Sequence, residues 1–155
     1  LMMAACRRPI RFLVDERLLK KPLLGFVLRQ SRAIPLPPEG NAAAQAAACL
    51  TAAEALAAGE LIGVFPEGTP TPDGELRPFQ PIVEQIVGDS GAPVVPLALR
   101  GMWESPFSQQ PGSRLARTRA RAFSAHVTLA SAPAVVAGEA RASSLHGAVG
   151  ALLVS

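Results

Sequence analysis

The residues at 65–69, Phe-Pro-Glu-Gly-Thr, combine groups that could bind and orient a polar ligand. Glu67 offers a carboxylate, Thr69 offers a hydroxyl, and Gly68 lets a ligand approach the backbone. Residues 67–69 lie beyond an apolar segment at 61–65 that Pro66 terminates, and the ligands of an open α/β sheet gather beyond the carboxyl ends of its strands. A binding site is therefore one interpretation. A tight loop whose glutamate and threonine satisfy backbone donors is an equally strong one.

The segments around this run alternate between strand and helix patterns. Short apolar or β-branched stretches predict strands at 11–14, 34–36, 61–65, 94–99 and 122–129. Helical patterns occur at 22–29, 42–58, 79–87 and 143–153. Pro22 suits a first helical position, Asn41 is the expected cap of the second helix, and Ser143 or Ser144 that of the last. This alternation predicts an α/β fold with a mixed, largely parallel sheet flanked by helices.

Two helical segments carry apolar faces whose environment can be predicted. In the second helix, the stripe expected to face the core consists of Leu50, Ala53, Leu56 and Ala57. The segment 18–28 could pack in the core or lie against a membrane, and core packing is the favoured interpretation.

The length and composition are those of one globular domain. A chain of 155 residues can bury one core of ordinary size, and its 49% apolar and 17% charged residues exclude a disordered tail. No stretch approaches the roughly 20 apolar residues that span a bilayer. The opening segment is too short, and too soon followed by Arg7 and Arg8, for a signal peptide. Because Leu1 is not a methionine, we expect further residues upstream.

Charge is segregated along the chain. Up to Arg32 there are eight basic and two acidic residues, from 33 to 93 one and eight, and from 94 onward six and two. Basic flanks could contact anionic lipid headgroups, or they could be solvated helix faces. Nucleic acid is not an expected partner, because the basic residues lack interleaved aromatics and a recognisable binding motif.

The two cysteines do not form a recognisable site. Cys6 and Cys49 lie far apart, outside any metal or redox spacing, and do not suggest a disulfide scaffold. A reducing cytosol fits this usage, and we expect both side chains to be small buried hydrophobes. The sequence therefore predicts no metal site and no redox cofactor.

The run at 65–69 and its surroundings resemble the glycerolipid acyltransferases, the family that includes 1-acylglycerol-3-phosphate acyltransferase. The run looks like the family's phosphate-proximal block, and 94–101, Val-Val-Pro-Leu-Ala-Leu-Arg-Gly, is similar to its fourth block. Upstream, the segments that resemble the stretch around its second block are 8–12, 22–25 and 33–35. The resemblance covers about residues 8–101 of a single domain, 1–155, that we expect to be incomplete at its N-terminus.

Within the family, segments 73–79 and 98–103 resemble the acyltransferase part of bacterial 2-acylglycerophosphoethanolamine acyltransferase fusions. Transporter or acyl-ligase domains adjoin it in such fusions. The resemblance implies a bacterial protein that is cytoplasmic and peripheral to the inner membrane.

The resemblance also implies a reaction, the transfer of a fatty acyl group from acyl-CoA or acyl-carrier protein to a lysophospholipid hydroxyl, with no further cofactor. The family's base is a histidine followed, after four residues, by an aspartate that orients it. Neither His126 nor His146 has a carboxylate at that spacing, so we expect surface or packing roles for both. The block is expected upstream of Leu1. The chain would then contain no catalytic residue and would not turn over alone.

The same resemblance implies the residues that bind the acceptor. They are Phe65, Pro66, Glu67, Gly68 and Thr69, with Arg77 and Arg100 as charge partners. A place on the solvated rim is the alternative for both arginines. The strand at 94–99 would flank the acyl path.

Three positions depart from the family's pattern and leave the acceptor headgroup open. Pro37 and Pro70 stand where many members have arginine, and Ile82 stands where glycine is usual. A non-catalytic lipid-surface or protein-interaction domain on the same scaffold is the alternative function. A nucleotide-binding domain is disfavoured, because no glycine-rich phosphate loop follows an early strand.

Overall fold

The structure is a computed structural model that describes residues 6–38, 40–68, 75–101 and 127–154. Its strands are β1 (Ile10–Asp15), β2 (Ile34–Leu36), β3 (Leu61–Val64), β4 (Leu97–Arg100) and β5 (Thr128–Ser131). Its helices are α1 (Glu16–Leu19), α2 (Pro22–Gln30), α3 (Ala42–Ala57), α4 (Ile82–Ser90) and α5 (Ala142–Val154), with a 3-10 turn at Ala137–Glu139. Thr69, His126 and the first part of the strand predicted at 122–129 lie outside the described residues.

Three parallel strands form the sheet that leads to the candidate site. The order is β2-β1-β3, and Leu13 of β1 pairs with Ile34 on one side and with Val64 on the other. Pro35 lies in β2 at the edge of this sheet, where a residue without an N–H is tolerated. The predicted α/β fold with a parallel sheet flanked by helices is confirmed.

Helices cover both faces of the parallel sheet, because the side chains of β1 alternate between them. On one face the buried residues are Leu13, Ile34, Ala48, Cys49, Ala52 and Ile86, contributed by β1, β2, α3 and α4. On the other face Ile10, Phe12 and Val14 form a cluster against which Leu18, Leu19 and Leu28 of α1 and α2 pack.

Helix α3 begins where the sequence predicts and packs on a different face. The side chain of Asn41 accepts a hydrogen bond from the N–H of Ala44 at 3.1 Å, as expected of a cap. The inward face is lined by Ala48, Cys49, Ala52, Ala53 and Ala55. Leu50 is 53% exposed, and Ala57 also faces solvent, so the predicted stripe was wrong at these two positions. Small side chains surround the whole helix, and close approach to the sheet selects the face.

The two cysteines differ in environment. Cys49 is buried, and burial raises the pKa of its thiol. Its thiol lies 3.4 Å from the side-chain oxygen of Gln85 on α4. Cys6 is partly exposed, so the predicted buried position is confirmed for Cys49 alone.

Two elements begin three residues later than predicted, at 82 rather than 79 and at 97 rather than 94, and prolines explain both. The helix predicted at 79–87 begins at Ile82. Gln80 precedes a proline, and a residue in that position rarely adopts the helical conformation. The strand predicted at 94–99 is β4, which begins after Pro96. It pairs antiparallel with β5 in a separate two-stranded sheet rather than joining the parallel one.

The terminal helix α5 is capped from another element. A side-chain oxygen of Glu84 on α4 accepts the N–H of Ala142 at 2.6 Å, and the same carboxylate pairs with Arg141 at 3.2 Å. These contacts, the backbone bond first, lower the pKa of Glu84. The helix begins at Ala142, so Ser143 and Ser144 lie within its first turn and the predicted serine cap was wrong. From inside that turn, the hydroxyl of Ser144 accepts the N–H of Arg141. None of the described helices is long and apolar enough to cross a bilayer.

Candidate functional site

The candidate site is a tight turn that begins directly after β3. The N–H of Gly68 donates to the carbonyl of Phe65 at 3.3 Å, which places Pro66 and Glu67 at the centre of a β-turn. Proline is favoured at the first central position of such turns and glycine at the last position. Gly68 has a φ of +74°, in the left-handed region where a side chain is strained. The turn is thus specified by its own residues.

An aromatic pair supports the start of this turn. The ring of Phe65 stacks on the ring of Phe12 in β1, with centroids 5.7 Å apart and planes 13° from parallel. Phe12 is buried at 9% exposure, whereas Phe65 is 55% exposed. The ring of Phe12 crosses over Gly63 in β3, because a Cβ at Gly63 would lie 2.6 Å from its Cε1 atom. Because Gly63 has no side chain, it leaves room for the ring of Phe12, on which the ring of Phe65 stacks.

The segment that leads into α4 holds the other side of the turn. The N–H of Gln80 donates to the carbonyl of Pro66 at 2.9 Å. The side-chain amide of Gln80 lies over Gly68, where a Cβ would approach its nitrogen to 2.8 Å. Gln80 thus fixes the turn through its backbone and covers it with its side chain.

Glu67 is partly buried and faces the same segment. Its Oε2 atom accepts the N–H of Arg77 at 3.2 Å. The turn therefore brings Glu67 and Arg77 together through the backbone of Arg77, whose side chain is exposed. A carboxylate has about four acceptor positions, so this bond leaves Glu67 able to accept hydrogen bonds from a ligand. Glu67 can therefore organise the loop and still bind a ligand.

A second carboxylate lies at the same edge of the sheet and is already paired. Asp15 ends β1, the neighbour of β3. It accepts the backbone N–H of Arg17 at 2.8 Å and pairs with the guanidinium of that residue. The side-chain bond to Arg17 is the main reason why the pKa of Asp15 is lowered. Asp15 caps α1, and Glu67 is the carboxylate with acceptor positions left.

The remaining predicted residues lie elsewhere. Arg100 is in β4, where its guanidinium donates to the carbonyl of Leu152 in the last turn of α5. Such a contact satisfies a carbonyl that a helix end leaves without a partner. The ring of His146 lies edge-on to Phe79, with centroids 5.2 Å apart. The structure therefore brings Phe65 to Gly68 and Arg77 together. It places Arg100 against the end of α5, and His146 lies within α5.

Sequence reasoning missed the supporting residues Phe12, Gly63 and Gln80. A glycine inside an apolar strand is a signal of close approach by another group, and Gly63 could have been found in this way. Nothing in the sequence alone pairs Gln80 with the turn. In the described ranges no group of three or more His, Cys, Asp or Glu side chains could hold a metal ion.

Fold and turn together define an α/β domain with a ligand-accessible loop beyond the carboxyl end of a parallel strand. The model of a family described as Acyltransferase matches residues 1–100. Because this match covers more than half of the 155 residues, the chain belongs to the acyltransferase family.

A solved structure agrees with the fold. The chain is similar to the crystal structure of the 1-acyl-sn-glycerophosphate (LPA) acyltransferase, PlsC, from Thermotoga maritima, with a TM-score of 0.61 and 23% sequence identity. The match covers 92% of this chain and 53% of that one, so the chain spans about half the length of this relative. At this identity the likeness shows the fold. No curated protein matches the chain.

Proposed function

We propose that this chain is the acceptor-binding part of an acyltransferase domain that moves a fatty acyl group to the hydroxyl of a lysophospholipid. The acyl donor is acyl-CoA or acyl-carrier protein, and no cofactor is needed. The observation that carries the proposal is the turn at Phe65–Gly68, which the strand, Phe12 and Gln80 hold rigidly with a carboxylate at its centre. Membership of the acyltransferase family supports the reaction type.

The proposed reaction needs a base to act on the acceptor. The acceptor hydroxyl loses its proton to the base as its oxygen attacks the thioester carbonyl. The tetrahedral intermediate then expels the thiolate, which takes up a proton to leave as the thiol. Glu67, Gly68 and Arg77 bind the polar glycerophosphate region and orient the hydroxyl, and orientation of this kind supplies a large part of catalysis. Thr69 and Arg100 remain proposed contacts of the acceptor.

The base is proposed to be a histidine that is oriented by an aspartate and lies upstream of Leu1. His146, the histidine in the described part of the chain, lies in α5 and packs against Phe79. We therefore expect no turnover from the 155-residue chain. The full-length protein is proposed to be bacterial, peripheral to the cytoplasmic side of the inner membrane, with transporter or acyl-ligase domains adjoining.

An activity comparison tests this proposal. The 155-residue chain and its natural polypeptide, extended upstream through a histidine and an aspartate that are separated by four residues, are assayed with several lysophospholipids and both donor types. Transfer by the extended chain alone is expected. Full activity in the 155-residue chain would overturn the placement of the base.

The site assignment has its own variant and matched control. In the extended chain Glu67→Gln removes the charge of the turn, and Glu54→Gln removes that of an exposed glutamate on α3. Loss of acceptor binding and rate is expected for Glu67→Gln alone. Lysolipid binding without transfer by the extended chain would favour the non-catalytic alternative.

A further inference from the structure

Helix α2 presents large apolar side chains to solvent. Leu23 is 80% exposed, Phe26 57%, Val27 52% and Leu24 42%. At 100° per residue these four positions form one continuous face of the helix. The core packing that the sequence favoured for this segment is therefore wrong for these residues. Scattered exposed apolar residues are ordinary, whereas a continuous face of this kind marks an interaction surface.

The opposite face of α2 fixes the helix in this orientation. Gly25 is buried against α1, because a Cβ there would lie 2.1 Å from the carbonyl oxygen of Leu19. The guanidinium of Arg29 donates to the same carbonyl at 2.8 Å, and Leu28 packs on the cluster around Phe12. A rotation that buried Leu23 and Phe26 would break all three contacts. The exposed face is thus held outward.

Two lysines lie at the start of α2, where their charges oppose the helix dipole. Lys20 and Lys21 precede Pro22, at the positive end of α2, where a carboxylate would be stabilising. The ammonium group of Lys20 lies 3.8 Å from Glu16, with its side chain 76% exposed, and Lys21 is exposed. An anionic surface would offset both the lysines and the helix end.

The aromatic ring at the start of the candidate turn lies on the same side of the sheet as α2. Phe65 stacks on Phe12, and Phe12 belongs to the cluster on which Leu28 of α2 packs. A flat surface in contact with α2 would therefore be on the same side of the sheet as the exposed ring of Phe65.

We propose that α2 docks this domain on an anionic lipid bilayer, with Leu23, Phe26 and Val27 inserted among the headgroups and Lys20 and Lys21 in contact with lipid phosphates. Apolar residues on one helix face with lysines beside it are the requirements for such interfacial binding. The surface does not depend on acyl transfer. Vesicle binding is measured without an acyl donor, so failure of either proposal leaves the other standing.

The test is flotation of the 155-residue chain with vesicles of phosphatidylcholine alone or of phosphatidylcholine mixed with phosphatidylglycerol. The chain is expected to bind the anionic vesicles and to be released by salt. The double variant Leu23→Ser with Phe26→Ser should weaken binding about tenfold or more, because two large side chains no longer leave water. Lys20→Gln and Lys21→Gln should each weaken it about fivefold on anionic vesicles.

Leu50→Ser is the matched control, since Leu50 is 53% exposed on α3 and lies outside the proposed surface. Its binding and the Tm of all variants should equal those of the unchanged chain. Equal binding of the Leu23 and Phe26 double variant would overturn the proposal, as would equal binding to neutral and anionic vesicles. Self-association that this double variant abolishes, with vesicle binding unchanged, would assign the face to a second copy and also overturn it.

Discussion

The two ends of strand β3 each carry a glutamate, and the chain uses them differently. Glu60, before the strand, pairs with Arg11 at 2.9 Å and with Arg32 at 3.2 Å. Glu67, after the strand, accepts one backbone N–H within a turn whose glycine has a positive φ. A pocket of about 250 Å³, lined by Arg11, Arg32 and Glu60 among others, lies at the Glu60 end. The charges of Glu60 and its arginines already bind one another, so this end of the strand stabilises the fold. Glu67 keeps acceptor positions at its turn, which favours a ligand-binding site there.

The largest expected effect tests the difference between Glu67 and Glu60 directly. In the extended, active chain, Glu67→Gln should lower kcat/KM for the acceptor by about 100-fold, since loss of substrate orientation has effects of this size. Glu60→Gln, at the other end of the same strand, should leave kcat/KM unchanged. Steady-state kinetics of both variants decide, and equal losses would remove the functional distinction between the two ends.

The next effect concerns the support of the turn. Gly63→Ala places a Cβ into the ring of Phe12 and within 3.0 Å of Ile10, both buried. Overpacking of this kind should destabilise the domain by about 1–3 kcal/mol, measured by urea unfolding. Gly88→Ala is the control, because a Cβ there has no neighbour within 4 Å. A Gly63→Ala chain as stable as the unchanged one would show that Phe12 does not need this space.

A smaller effect is expected within the turn. Gly68→Ala forces alanine into a left-handed conformation and should cost about 1 kcal/mol of stability. The added Cβ would also lie 2.8 Å from the side-chain nitrogen of Gln80, which would have to shift. Acceptor KM in the extended chain should rise, because the turn shifts relative to β3. Unchanged stability and KM would show that the turn geometry is not required.

The smallest expected effect is a pH dependence of the Tm that comes from Glu60, at the other end of β3. Arg11 holds the pKa of Glu60 below its ordinary value of 4.5, and Arg32 adds to this. A lowered pKa stabilises the folded state above the unfolded value, and this contribution is lost as pH falls through the folded value. The Tm difference between the unchanged chain and Glu60→Gln should therefore shrink below about pH 4.5. A difference that stays constant with pH would argue against the ion pairs.

Local signals in the sequence predicted much of the fold. Apolar run length predicted β1 and β3, Pro22 and Asn41 predicted the starts of α2 and α3, and these elements were found. The inward face of α3 was not predictable, because alanine on every side gives no contrast. The pairing of β4 with β5 was missed too, since pairing depends on a partner about 30 residues further along the chain.

For the candidate site, the sequence by itself determined the turn at Phe65–Gly68, because proline and glycine constrain their own backbone angles. Its support depends on residues distant in sequence. Phe12 and Gln80 reach the turn only once β1 lies beside β3 and the segment before α4 returns to it. The tertiary structure also decided the environments of Arg100 and of the α2 face, since burial and partners depend on packing that a local pattern does not encode.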